Sequence, residues 1–155
     1  MTEVRTLVVL PTYNEAENID EVLTRLRAAL PECAVLVVDD GSPDGTADLA
    51  EKLDTTLGGI SVLRRPAKSG LGSAYRAGFR WGIERGFEAL IEMDADLSHD
   101  PAALPAMIDA LSTSGAARTI KFWNNAGVVA KMEVLYKPGW AAIFFIALLC
   151  CASGS

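Results

Sequence analysis

The stretch TLVVLPTYNEAENIDEVLTRLRAALPECAVLVV, residues 6–38, decides the fold class. It begins and ends with short β-branched runs, 6–10 and 34–38, that are apolar on both faces and therefore predict fully buried strands. Between them apolar side chains recur at helical spacing until Pro31, which predicts a helix over 15–30. Two buried strands joined by an amphipathic helix predict a β–α–β unit with parallel strands.

The same alternation continues to about residue 111. Further elements are predicted as strands at 60–64 and 87–93 and helices at 42–53, within 69–86 after a glycine-rich loop, and at 101–111. The predicted order βαβαβαβα indicates an α/β fold, with a mostly parallel sheet covered by helices on both faces.

The residues that precede these helices predict how each one begins. Asn14 has Glu17 three residues later, which suggests a variant of the capping box. Ser42 and Asp100 are each followed by proline, a residue that favours the first helical position, so both are predicted to cap helices.

The composition bounds the class of protein. The chain has 155 residues, of which 50% are hydrophobic and 22% charged, as expected for one domain with a packed core. The net charge of −6 argues against general nucleic-acid binding. Three cysteines without CxxC spacing favour a reducing, intracellular setting, and the N-terminal apolar run is too short for a signal peptide. The apolar run 140–151 is likewise too short to be a convincing membrane span.

Clusters of polar residues follow the predicted strands: PTYNE, DDGSPDG and DADLSHD. The carboxyl ends of parallel strands meet at one edge of the sheet, where α/β folds bind ligands. In an extended segment Asp94 and Asp96 point to the same side with Cα atoms roughly 6.6 Å apart. Two converging carboxylates suit Mg²⁺ or Mn²⁺; the alternative is a solvated acidic turn.

Two other motifs are less specific. DGSPDGTADLAE, residues 40–51, fits the spacing of a calcium-binding loop, but that loop must be entered by a helix and here a strand precedes it. RRPAKSGLGSAYR, residues 64–76, is the one basic cluster of the sequence. It lies at a glycine-rich helix start that would attract phosphate, and Lys68 is predicted to bind the substrate there. The alternative is a solvated helix start. His99 receives no role.

The segments PTYNE (11–15), VVDDGSPDGT (37–46), KSGLGSAYRAG (68–78) and MDADLSHDP (93–101) stand in order and at consistent spacing. Together they resemble the family 2 glycosyltransferases with the GT-A nucleotide-sugar-binding fold. Within that family they look most like the polyprenyl-phosphate (dolichyl-phosphate) mannose synthases. The resemblance covers about residues 4–111.

The resemblance implies roles for individual residues. At the nucleotide sugar the implied residues are Pro11, Tyr13 and Glu15, and at the nucleoside they are Val38 and Asp40. At the diphosphate and metal the implied residues are Asp94, Ala95 and Asp96. Asp94 and Asp96 are the implied catalytic pair, Asp96 the best metal ligand, and Ser98 occupies a further ligand position.

The implied reaction transfers mannose from GDP-mannose to a polyprenyl phosphate with Mg²⁺ or Mn²⁺. The acceptor phosphate is largely ionised near neutral pH, so no strong general base is needed. The implied location is cytoplasmic, or peripheral at the cytoplasmic membrane face. Two alternatives stay open: a non-catalytic fragment that binds nucleotide sugar, and a phospho-receiver domain, which also places aspartates at strand ends but expects them after the first strand.

The chain changes character near residue 112. Residues 113–155 lack the Gly-Ser/Thr-Arg-Tyr-like motif and the later basic residues with which the family continues. They predict a divergent tail that contains strands at 119–123 and 128–136, which would form a hairpin around an Asn-Asn-Ala-Gly turn at 124–127, followed by the apolar run. A truncation or reading-frame shift near 112 is the expected origin, and the shortened sheet is expected to leave an edge that the tail covers or that promotes aggregation.

Overall fold

A computed structural model describes residues 5–106, 108 and 109 with their side chains, and the backbone of 118–123 and 129–136. The strands are β1 (Thr6–Thr12), β2 (Ala34–Asp39), β3 (Ile60–Arg64), β4 (Ala89–Glu92), β5 (Arg118–Trp123) and β6 (Val129–Tyr136). The helices are α1 (Ile19–Ala29), α2 (Thr46–Leu57) and α3 (Leu71–Glu84), with a 3₁₀ turn at Pro101–Ala103. Within the described residues, no helix combines the length and apolar character that crossing a bilayer requires.

The sheet has the strand order β3-β2-β1-β4-β6-β5, and its first four strands run parallel. The predicted α/β fold is therefore confirmed. The order 3-2-1-4 is that of the dinucleotide-binding doubly wound fold, whereas a phospho-receiver has the order 2-1-3-4-5. The topology argues against the receiver alternative.

Each face of the sheet carries its own core because alternate residues of β1 point in opposite directions. Val8 and Leu10 pack with α1 and α2 on one face. Leu7 and Val9 pack with Tyr75 of α3 on the other. All seven residues of β1 are buried, since β2 and β4 flank it and helices cover both faces.

The predicted start of α1 is wrong. The helix begins at Ile19, and Asn14 lies in the turn before it with a left-handed φ of 58°. Asparagine tolerates this conformation better than most residues. The backbone N–H of Asn14 donates to Ser42 Oγ at 2.9 Å, so Asn14 joins two loops and does not cap the helix. The first strand ends at Thr12, two residues beyond the predicted run 6–10, and Pro11 pairs within it with Val38 of β2.

The predicted cap of α2 is also wrong. Gly45, with a φ of 87°, precedes the helix, which begins at Thr46. Ser42 turns back and donates its hydroxyl to Asp39 at 2.5 Å. The carboxylate of Asp44 accepts the Thr46 N–H at 3.0 Å and the Ala16 N–H at 3.0 Å. One side chain therefore fastens the start of α2 to the loop that precedes α1.

We expect Asp44→Ala to lower the free energy of unfolding by about 1 kcal/mol, the typical cost of losing a helix-start acceptor. Burial is the largest single influence and raises the pKa of Asp44, but the hydrogen bonds from Thr46 and Ala16 together outweigh it and the net pKa is lowered. The contribution is thus present above the ordinary pKa of an aspartate and lost as the pH falls through the lowered value. Urea unfolding of both proteins at pH 7 and pH 3 checks this: the difference should shrink at pH 3, and an equal difference would contradict it.

The described part of the C-terminal region agrees with two predictions. Strands β5 and β6 occupy the positions predicted for a hairpin, and β6 pairs antiparallel with β4, covering the edge that the parallel sheet would leave. The 3₁₀ turn at Pro101–Ala103 leads into helical backbone at 104–106 and 108–109. The rest of the predicted helix to 111, the turn at 124–127 and the apolar run 140–151 lie outside the described residues. The division of the chain near residue 112 stays a prediction.

Candidate functional site

The polar residues converge where the chain reverses its direction of travel across the sheet. From β1 the chain adds β2 and β3 on one side, and then returns through α3 to place β4 on the other side of β1. The carboxyl ends of β1 and β4 therefore border the topological switch point, where folds of this kind bind ligands. PTYNE covers the last two residues of β1 and the turn after it, and DADLSHD follows β4, so both border this crevice.

Asp39 organises the loops around the crevice from a buried position. Its carboxylate accepts the Thr12 hydroxyl at 2.9 Å and both the N–H and hydroxyl of Ser42, at 2.9 and 2.5 Å. These bonds tie the end of β1 to the loop after β2. Because buried carboxylates need such donors, Asp39 acts in the structure as a support for the loops.

Asp40 forms a buried ion pair with Arg65. Arg65 Nη1 lies 2.8 Å from Asp40 Oδ1, and the two side chains are 15% and 6% exposed. The backbone N–H of Ser69 donates to the other carboxylate oxygen at 3.2 Å, and Arg65 Nη2 donates to Ser73 Oγ at 2.7 Å. Asp40, the residue predicted to bind the nucleoside, is thus held by the loop between β3 and α3. Both of its carboxylate oxygens already accept hydrogen bonds.

Tyr13, after β1, and Lys68, in the loop between β3 and α3, are in contact at the carboxyl edge of the sheet. The Lys68 ammonium lies 4.2 Å from the centroid of the Tyr13 ring, within the range of a cation–π contact. Tyr13 is 37% exposed and Lys68 is also exposed, so both present atoms to solvent. This contact brings together two residues that the sequence assigned to the substrate from separate motifs.

Asp94 is anchored by a residue of α3. The hydroxyl of Tyr75 donates to Asp94 Oδ1 at 2.8 Å, and Tyr75 is 7% exposed. Burial, followed by the nearby carboxylate of Asp94, raises the pKa of Tyr75 well above its ordinary value. The phenol therefore keeps its proton and acts as a donor to the carboxylate.

Asp96 lies in a tight turn and is more exposed than Asp94. Leu97 has a left-handed φ of 62°, uncommon for a residue other than glycine, and this turns the Ser98 N–H back to Asp96 Oδ1 at 3.0 Å. Burial raises the pKa of Asp96, but the hydrogen bonds from Ser98 outweigh it and the net pKa is lowered. Asp96 is therefore charged at neutral pH.

The side-chain oxygens of Asp94, Asp96 and Ser98 fit a divalent cation that a substrate would also coordinate. Across the residues described with side chains, no group of three or more His, Cys, Asp or Glu side chains could hold a metal ion unaided. Asp94, Asp96 and Ser98 offer hard oxygens, and Mg²⁺ is commonly bound by one or two carboxylates together with substrate phosphates. The residues present therefore fit a cation that binds together with a diphosphate.

Other predicted site residues are less accessible. The side chain of Val38 is fully buried in the core beneath α3, and Pro11 and Ala95 are buried as well, so a ligand would reach them chiefly through their backbone. Glu15 is half-buried and accepts a hydrogen bond from Asn18 Nδ2 at 2.8 Å. Asp100 accepts the Ala102 N–H at 3.0 Å, which confirms its role as a cap.

The stretch 40–51 is built as a strand-to-helix crossover. It is entered from β2, and three of its four carboxylates face arginines: Asp40 pairs with Arg65, while Asp48 and Glu51 pair with Arg64 on the surface. Three of the carboxylates that fit the calcium-loop spacing therefore bind arginines, and the pairs of Asp48 and Glu51 with Arg64 join α2 to the end of β3.

Sequence reasoning missed Tyr75 and the role of Arg65. Tyr75 resembles an ordinary core aromatic, but it lies on the same helical face as Gly78 and Gly82, at spacings of three and seven residues. That glycine pattern was a signal of close helix–sheet approach. Arg65 lay within the basic cluster, but nothing in the sequence showed that Asp40 would neutralise it.

Comparisons with known proteins agree with this architecture. An undecaprenyl-phosphate mannosyltransferase of Micrococcus luteus is 54% identical over 110 residues, which are 71% of this chain and 45% of that protein. A polyprenol monophosphomannose synthase of Mycolicibacterium smegmatis is 51% identical over 69% of this chain and 41% of its own length. The solved mannosyltransferase PcManGT from Pyrobaculum calidifontis, in complex with GDP-Man and Mn²⁺, superposes with a TM-score of 0.63 at 25% identity, over 73% of this chain and 34% of its own.

The chain spans less than half the length of these relatives. The family profile described as "Glycosyl transferase family 2" matches residues 7–130 and thus extends past residue 111, where the motif-based resemblance stops. The parallel sheet, the helices on both faces and the structural neighbour are those of the GT-A architecture. Profile, relatives and fold agree, and the chain belongs to glycosyl transferase family 2.

Proposed function

We propose that this chain acts as a polyprenyl-phosphate mannosyltransferase, whose described residues form the donor-binding part, and that it moves mannose from GDP-mannose to a polyprenyl phosphate. The observation that carries the proposal is the placement of Tyr13 and Glu15 after β1, and of Asp94 and Asp96 after β4, on the two sides of the switch point. The relatives named for polyprenol-phosphate mannose transfer support the acceptor and the sugar. The neighbour solved with GDP-Man and Mn²⁺ supports the donor and the cation.

The dimensions of the crevice suit a nucleoside diphosphate. Adjacent strands lie roughly 4.8 Å apart, so the ends of β2 and β4, on either side of β1, are separated by roughly 10 Å. The nucleoside would lie near Asp40 and the Tyr13–Lys68 contact, and the diphosphate near Asp94 and Asp96. The backbone at Val38 and Ala95 would border the two ends.

Electrostatics explains why a cation belongs in this arrangement. A diphosphate beside two carboxylates would be repelled, and Arg65 is neutralised by Asp40. A bound divalent ion supplies the missing positive charge and neutralises the departing nucleoside diphosphate. Asp94 and Asp96 would hold that ion, with Ser98 as a further oxygen donor, and the Lys68 ammonium beside Tyr13 would approach the phosphates from the nucleoside end.

The transfer step needs no strong base from the protein. An ionised oxygen of the acceptor phosphate forms a bond to C1 of mannose, while the bond from C1 to the β-phosphate oxygen breaks and GDP leaves with the electron pair. The acceptor is largely ionised near neutral pH because its second pKa is about 6. The acceptor lipid would place this step at the cytoplasmic face of a membrane.

A transfer assay tests the proposal. Purified protein is incubated with GDP-[¹⁴C]mannose, vesicles containing polyprenyl phosphate, and Mg²⁺ or Mn²⁺, and radioactivity extracted with the lipid is counted. Label in the lipid that disappears with EDTA is the expected result. Binding of GDP-mannose without transfer would support the alternative of a non-catalytic nucleotide-sugar-binding fragment, and absence of both binding and transfer would contradict the proposal.

A further inference from the structure

Tyr75 carries a polar group into an otherwise apolar interface. It belongs to the core cluster between α3 and the sheet, together with Leu7, Val9 and Leu36. A buried phenol usually finds a hydrogen-bond partner. Here the partner is a carboxylate at the end of β4, in the candidate site, and not a nearby backbone group.

The position of the Tyr75 ring is set by the close approach of α3 to the sheet. A Cβ atom at Gly78 would lie 2.4 Å from Val9 Cγ1, and one at Gly82 would lie 2.7 Å from Leu90 Cδ2. Only glycine lets the helix pack at this distance. Tyr75 lies one turn before Gly78, and its ring stacks on Phe79 with centroids 6.1 Å apart. The hydroxyl is therefore held in place by packing along the helix.

Asp94 has less support of its own. It follows β4 at a point where the chain has left the sheet, and Asp96 two residues later carries the same charge. A carboxylate offers about four acceptor positions, so one bond from Tyr75 can fix its orientation without exhausting it. The bond engages Oδ1, which constrains the direction in which the second oxygen points.

We propose that Tyr75 is a positioning residue, whose buried hydroxyl orients Asp94 for the cation–diphosphate part of a nucleotide sugar. This inference rests on the proposed function, since it assigns a purpose to Asp94 there. The first turns of α3 also hold the opposite side of the site, where Ser73 accepts a hydrogen bond from Arg65, the partner of Asp40. One helix thereby links the carboxylates at the ends of β2 and β4.

The variant Tyr75→Phe tests the inference because it removes the hydroxyl and keeps the ring. Free Mn²⁺ is measured by electron paramagnetic resonance during titration of the protein in the presence of GDP. We expect the affinity for Mn²⁺ to fall by about tenfold. Removing a residue that orients a metal ligand typically lowers metal affinity by about 10–100-fold, and this is the lower end of that range. Thr55→Val, which removes a hydroxyl from the surface of α2, should leave that affinity unchanged. A lower melting temperature of Tyr75→Phe with wild-type Mn²⁺ affinity would show a structural role only and overturn the inference.

A crystal structure of Tyr75→Phe tests the positioning step without any metal. The Asp94 carboxylate should rotate away from its wild-type orientation or adopt more than one. An unchanged carboxylate would overturn the inference even if the proposed function holds. Failure of the wild-type protein to bind Mn²⁺ with GDP would instead contradict the proposed function, so the two failures are distinguishable.

Discussion

Replacing Asp96 by Asn is expected to weaken the binding of Mn²⁺ and GDP by about 100-fold or more, because changing even the outer partners of metal ligands costs 10–100-fold. Asp96 is the exposed carboxylate of the pair, and its lowered pKa keeps it charged at neutral pH. The amide of Asn is neutral, but its oxygen can still accept the Ser98 N–H, so the turn at Leu97 should persist. Titration calorimetry with GDP at fixed Mn²⁺ measures the change.

Asp100→Asn is the matched control for this prediction. It makes the same change of charge four residues away, where the carboxylate accepts the Ala102 N–H at the start of the 3₁₀ turn. Asparagine caps helices about as well as aspartate, so both stability and nucleotide affinity should stay near wild type. Equal losses for Asp96→Asn and Asp100→Asn would mean that net charge, and not coordination by Asp96, determines the affinity.

Gly78→Ala is expected to lower the free energy of unfolding by about 2 kcal/mol, since severe overpacking costs up to about 3 kcal/mol and alanine returns about 1 kcal/mol in helix propensity. The new Cβ would lie 2.4 Å from Val9 Cγ1 and 3.1 Å from Val38 Cγ2. Val9 cannot move easily, because β1 is hydrogen-bonded to strands on both sides and a β-branched side chain is stiff.

Gly72→Ala provides the comparison within the same helix. The nearest atom that its Cβ would meet is Arg76 Nη1, at an ordinary 3.8 Å. This substitution should leave stability unchanged or raise it by up to about 1 kcal/mol. Urea unfolding of both variants measures the difference. A stability loss of the same size in both variants, or in neither, would contradict the close packing of α3 against the sheet.

The fold could be predicted from the sequence because its main signals are local. TLVVL and AVLVV are apolar on both faces and became the strands β1 and β2, and the helical spacing between them became α1. Helix starts were less predictable. Asn14 and Ser42 have the chemistry of caps, but the Ser42 hydroxyl donates to Asp39 three residues earlier and accepts the N–H of Asn14, from a loop that only the fold brings near.

The candidate site was predictable in outline for the same reason. Strand ends in a parallel sheet share an edge, so the order of strands and helices along the chain is enough to place DADLSHD and PTYNE together. The supporting contacts were not predictable. The bond from Tyr75 to Asp94 joins residues 19 positions apart, and that from Arg65 to Asp40 joins residues 25 apart. The bond from Tyr75 depends on how closely α3 packs against the sheet. The bond from Arg65 depends on the register of β2 and β3, in which Arg64 lies beside Asp39.

The central claim is that Asp94 and Asp96 bind a nucleotide sugar through a divalent cation. The most direct measurement is an anomalous difference map from crystals of the protein grown with Mn²⁺ and GDP-mannose. We predict a manganese peak within bonding distance of the Asp96 carboxylate and of the diphosphate, with the guanosine toward Asp40 and Tyr13. A diphosphate bound at this edge without manganese, or manganese bound away from Asp94 and Asp96, would contradict it.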